Sequence, residues 1–148
     1  MADGRRPPLG SESFDNVLTY GSLHHLPQPG AVCREIQRVL VRGGVHFGSE
    51  NNRSVFRGLF DALMKVAPLW HEEAGEQPLI SASMLRTWTE GLPVEITERT
   101  SVYLPPHLCN WMGESISRGL LHLTDGFGAA VRPLNRHGGL LVFEIQKI

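Results

Sequence analysis

The chain has 148 residues, a length that fits one domain, and 41% of them are apolar, as in an ordinary folded protein and unlike a disordered one. Lysine and arginine total 14 against 15 acidic residues, so the net charge of −1 gives no electrostatic basis for binding nucleic acid or an anionic membrane surface. Cys33 and Cys109 are far apart and outside any CxxC pair, which excludes a disulfide scaffold and suits a reducing compartment.

Residues 1–13 are polar and proline-rich and read as an exposed loop. Arg5 and Arg6 have no apolar core behind them, so this stretch is not read as a secretory signal. No apolar run approaches the roughly 20 residues that span a bilayer, and the expected location is cytoplasmic. Phe14 to Glu50 then reads as strand, turn, helix and strand, one complete βαβ unit. Val17 and Leu18 give way to Gly21, and Pro27 and Pro29 punctuate the entry to the helix. Val32, Ile36, Val39 and Leu40 share one helical face, and Gly43-Gly44 is expected to supply a left-handed stop. In doubly wound sheets ligands bind outside the carboxyl ends of the strands. Those ends are Thr19-Tyr20-Gly21-Ser22 and Ser49-Glu50-Asn51-Asn52, so any site should draw on these two clusters.

Asn52 or Ser54 can cap the next helix, with Val55, Phe56, Leu59, Phe60, Leu63 and Met64 facing the core and Arg57, Asp61 and Lys65 in solvent. Leu69 to Pro78 combines Trp70, His71 and the carboxylates Glu72, Glu73 and Glu76 with turn formers, and reads as a surface connection or a lid. Ser81 to Glu90 is expected to be a short helix closed by Gly91. Val94 to Leu104 follows as a strand in an outer position, given its charged residues. A second amphipathic helix runs through Leu108, Trp111, Met112, Ile116, Leu120 and Leu123, weakened at Gly119, and a further helical segment spans 125–134. Gly138-Gly139 then turns into Leu140 to Ile145, apolar on both faces as in a strand buried inside a sheet. The histidines lack an i, i+4 pair or cysteine partners, and no metal site is expected.

Several of these stretches carry a resemblance. Ala2-Asp3-Gly4, Ser13-Phe14-Asp15, Leu23-His24-His25-Leu26-Pro27, Arg34 through Leu40, Gly43-Gly44 and Glu50-Asn51-Asn52-Arg53 occur in an order that resembles the second half of a class I S-adenosylmethionine-dependent methyltransferase, of the broad small-molecule subgroup called type 11. The fold implied is α/β: a partial Rossmann-like sheet with flanking helices, in one domain over 1–148, with the first strands missing. The cofactor implied is S-adenosylmethionine. By the resemblance Asp3, with Gly4 beside it, accepts a hydrogen bond from the adenine amino group, a task that suits an acceptor-only carboxylate. Tyr20, Gly21 and Ser22 lie along the methionine part. His24 and His25 face the substrate side as candidate general bases, although methyl transfer can proceed by positioning alone. Glu50, Asn51 and Trp70 are placed toward the acceptor. No Gly-x-Gly precedes Phe14, so the cradle for the cofactor's carboxypropyl group is absent and the implied site is incomplete.

Two readings of function follow. One is a methyltransferase, or a fragment of one, acting on an O, N or C of a small-molecule acceptor. The other is a non-catalytic half domain that acts by pairing with another chain. An unpaired edge at Asn16 to Thr19 predicts a homo-oligomer or a complementing chain, with no nucleic-acid or membrane partner.

Overall fold

The computed structural model describes residues 8–66, 79–104 and 112–148. Strand β1 (Phe14–Tyr20) leads through a single 3-10 turn at Leu23–His25 into helix α1 (Pro29–Val39), and strand β2 (Leu40–Asn51) follows without a linker. Pro29 at the first helical position has no N–H to leave unsatisfied, so the helix starts there. At the other end the Arg38 guanidinium grips Glu35 twice and also donates to Leu9 O and Ser11 Oγ, tying the entering loop to the last turn.

Gly43-Gly44 does not stop this helix. The helix ends at Val39, with Leu40 already extended, and Gly43 takes φ +79° inside β2. There it allows an irregularity in which β1 advances from Phe14 to Asn16 while β2 advances from Leu40 to Val45. The left-handed glycine thus serves a bulge rather than a cap.

Helices α2 (Val55–Val66) and α3 (Ala82–Trp88) come next, then strand β3 (Val94–Ser101), helix α4 (Glu114–Ala130) and strand β4 (Leu140–Lys147). The sheet order is β1-β2-β4-β3, with β1 parallel to β2 and β4 antiparallel to both of its neighbours. The terminal apolar run therefore sits inside the sheet, and the charged β3 forms one edge. Gly48 makes room for this arrangement, because a Cβ there would lie 1.9 Å from the ring of Phe143. The core lies between the sheet and α1 with α3, built on Leu23, Val32, Cys33, Ile36, Leu40, Ile80, Leu85, Leu141, Phe143 and Ile145.

Two expectations about helices change. The expected pair over 108–123 and 125–134 is one continuous helix from Glu114 to Ala130, since the side chain that Gly119 lacks would meet only open space; Leu108 and Trp111 lie outside the described residues. Among the described side chains of α2, Val55 and Leu59 do not face the core as expected: they are 70% and 67% exposed. Periodicity identifies an amphipathic helix but not whether this chain supplies the surface that covers it. Its polar side does carry the expected i, i+4 pair, Arg57 Nε to Asp61 Oδ1 at 2.8 Å, and Ser54 Oγ caps its start by accepting from the Arg57 N–H.

Candidate functional site

The parallel pairing of β1 with β2 sets Tyr20 beside Ser49, so the two polar clusters adjoin at the carboxyl ends of neighbouring strands. The chain turns there on Gly21, at φ +53°, whose N–H donates to Ser49 O at 2.8 Å. A left-handed conformation is cheap only for glycine, and this one redirects β1 into the 3-10 turn.

The turn is held from below by Glu50. This carboxylate is fully buried and accepts from the Ser22 N–H at 3.0 Å and the Leu23 N–H at 2.8 Å through Oε1. Its Oε2 lies 2.5 Å from His24 Nδ1. A carboxylate only accepts, so it places a proton on Nδ1 and leaves Nε2 as the second ring nitrogen. His24 is buried, whereas His25 is exposed and stacks obliquely on it with ring centroids 4.1 Å apart.

Burial shifts two neighbouring groups. Burial, with the nearby Glu50 charge second, pushes the Cys33 thiol up to about 12. Burial also pulls His46 down to about 4, so its ring is a neutral packing group, 2.9 Å from Thr19 Oγ1 through Nε2 and edge-on to Phe143.

The residues expected at the site divide into three groups. Tyr20, Gly21, Ser22, His24 and His25 come together around the turn, with Tyr20 largely exposed at the tip of β1. Glu50, expected toward the acceptor, points into the core and is engaged by the turn. Asn51 is half-buried, pairs with Leu140 across the sheet, and receives the Ile80 N–H at its carbonyl. Asp3, Gly4 and Trp70 lie outside the described residues.

Two further arrangements had no signal in the residue pattern. Asp125 on α4 closes the end of β3 by accepting from Ser101 Oγ at 2.6 Å and from the Val102 N–H at 2.9 Å. Asn52, almost fully buried, donates through Nδ2 to Gly138 O at 2.7 Å and Arg136 O at 3.2 Å. Each bridges segments far apart in the chain, where local spacing carries no information. Among the described residues no helix is long and apolar enough to cross a membrane.

Comparison with known proteins agrees with this layout. Residues 1–48 match the family model described as a methyltransferase domain. No curated protein is significantly similar to the chain. Among solved structures, the fold is shared with an S-adenosylmethionine-dependent methyltransferase of Thermotoga maritima, described as a possible histamine N-methyltransferase, at TM-score 0.63 and 15% identity over 98% of this chain and 61% of that one. It is also shared with the cyclase SpnF, at TM-score 0.57 and 16% identity over 99% of this chain and 54% of that one. A third likeness is to a complex from Haloferax volcanii between a methyltransferase activator and a methyltransferase-like chain, at TM-score 0.54 and 16% identity, covering 99% of this chain and 60% of that one. The chain spans about three fifths of the length of the first of these structures. The chain is thus similar in sequence to a methyltransferase domain over residues 1–48 and shares the fold of these structures.

Proposed function

We propose that residues 1–148 form the acceptor-side portion of an S-adenosylmethionine-dependent methyltransferase acting on a small molecule. The observation that carries this reading is the Gly21–His25 turn, set at the rim of two parallel strands and fixed from beneath by Glu50. In this role Tyr20, Gly21 and Ser22 line the methionine part of the cofactor, and Glu50 is a positioning residue. The bound cofactor supplies an electrophilic methyl group on sulfonium. The chain's part is to hold donor and acceptor in line, which by itself accounts for much of the rate of such a transfer.

His24, with its proton held on Nδ1, has Nε2 available to take a proton from a hydroxyl or amine acceptor. Its burial and its tie to Glu50 keep the ring in one orientation. Asp3 and Gly4 are assigned to the adenine by resemblance, and Asn51 and Trp70 to the acceptor side.

The edge of β1 supports a second part of the proposal, that a complementing segment or another copy pairs with it. Among the described strands β1 is bonded only to β2, and Leu18 and Tyr20 on its outward face are 74% and 78% exposed beside the half-exposed Phe47. A strand with an open apolar edge is a template for pairing. The fold likeness to an activator-bound chain is in keeping with this role. A purely structural half domain is the alternative, and SpnF shows that proteins named for other reactions share the fold.

Equilibrium dialysis with labelled S-adenosylhomocysteine tests the placement. Gly21→Val puts a β-branched residue where the backbone is left-handed, and it should lose ligand retention. Gly113→Ala, where nothing lies within 4 Å of the added Cβ, should keep it. Equal retention by both variants would remove the turn from the cofactor site.

A further inference from the structure

Resting on the methyltransferase reading, we infer that the acceptor carries a carboxylate or phosphate group, held in an arginine-lined cavity at the same rim of the sheet. The cavity has a volume of about 600 Å³ and lies between the end of β2, the start of α3, the end of β3 and the loop 135–137. That size suits a small molecule.

Arg53, Arg99 and Arg136 are among its lining residues and come from three different segments. All three are exposed, and among the described residues none is in an ion pair. The carboxylate in the wall, Glu98, is bonded through Oε1 to the Arg86 guanidinium, which balances its charge. Arginines that border one hollow raise the positive potential there, and an oxyanion is drawn to it. The planar guanidinium fork matches a carboxylate or a phosphate through paired hydrogen bonds.

The convergence is built into the fold. The loop that carries Arg136 is tied on one side by Asn52 Nδ2, which donates to Gly138 O and Arg136 O, and on the other by Thr100 Oγ1, which donates to Asn135 O at 2.6 Å. The Gly138 N–H returns to Thr100 Oγ1 at 3.2 Å. Asn52 is two residues beyond Glu50, roughly 7 Å along an extended chain, so the cavity and the Gly21–His25 turn share one end of β2. An acceptor held here by its anionic group therefore has its remaining atoms on the rim that carries the turn.

The test follows the arginine Nε–H and backbone amide NMR signals of the full chain during titration with inorganic phosphate and, separately, acetate, with chloride adjusted to constant ionic strength. Saturable shifts at Arg53, Arg99 and Arg136 are expected, and the probe that saturates first identifies the preferred oxyanion. The double variant Arg99→Gln with Arg136→Gln should bind at least tenfold more weakly, while Arg99→Lys with Arg136→Lys retains part of the affinity. Unchanged α1 amide signals establish that each variant is folded.

Shifts that grow linearly with concentration, that chloride reproduces, or that persist unchanged in the double glutamine variant would overturn the inference. S-adenosylhomocysteine titrated into the same samples separates the two levels. A response to it without anion binding removes the anionic acceptor and leaves the methyltransferase reading. Anion binding with no such response keeps the anion site and removes the reading on which its role rests.

Discussion

Glu50 Oε2 and His24 Nδ1 lie 2.5 Å apart, and both side chains are buried. The same carboxylate takes two backbone N–H groups from the turn that precedes the histidine. Glu50→Ala should cost about 3 kcal/mol of stability in chemical denaturation, because three donors, two of them buried, lose their acceptor at once. Glu50→Gln keeps an acceptor for the turn but presents an amide N–H to the ring. The His24 proton is then expected to move from Nδ1 to Nε2, which long-range nitrogen–proton NMR correlations read directly. An unchanged tautomer in Glu50→Gln would show that Glu50 does not set the histidine's orientation.

His46 predicts how stability responds to acid. Its folded value of about 4 lies below the ordinary 6.5 because the ring is buried. Above pH 6.5 the ring is neutral in both states and costs nothing. As the pH falls from 6.5 to 4 the unfolded chain takes up a proton that the folded chain refuses, so stability drops, by about 3 kcal/mol over the window. Below 4 the residue contributes no further change. Urea unfolding at a series of pH values should show this slope, and His46→Leu should lack it.

The exposed face of β1 predicts association. Leu18 stands opposite Phe47 in the register, with Tyr20 exposed at the strand tip. Residues 1–148 alone should sediment as concentration-dependent oligomers, and Leu18→Lys, which sets a charge on the open edge, should shift them toward monomer. A wild-type chain that stays monomeric across the concentration range would contradict a pairing role for this edge.

Much of this architecture was legible in the sequence, and for identifiable reasons. The βαβ unit from Phe14 to Asn51 announces itself by local periodicity, and the double-sided apolarity of Leu140 to Ile145 marks a strand with neighbours on both sides, which β4 has. Proximity of Tyr20 to Glu50 follows once β1 and β2 are parallel neighbours.

What failed depended on partners distant in sequence. Gly43 looked like a helix stop because a glycine after an amphipathic run usually is one, yet β2 begins at Leu40 and uses the glycine for a bulge. The stripe of α2 looked like core because the sequence does not say what faces it. Val102, a β-branched residue at φ +61°, is held by Asp125 from another element, and a strained backbone of this kind has no signature in residue type. The arginines of the cavity are spread from Arg53 to Arg136, so no local charge run betrays them.

The central claim is that the Tyr20–Ser22 turn receives the methionine end of the cofactor while the rest of the cradle is incomplete in residues 1–148. The most direct measurement is amide NMR of this chain titrated with S-adenosylhomocysteine. The account predicts saturable shifts centred on Tyr20, Gly21 and Ser22 with an affinity in the range of about 1 mM, the value expected of a cradle without several charged hydrogen bonds of roughly 1.5–3 kcal/mol each. Millimolar ligand that leaves these three residues unmoved would contradict the placement, and tight binding at about 1 μM would contradict the incompleteness.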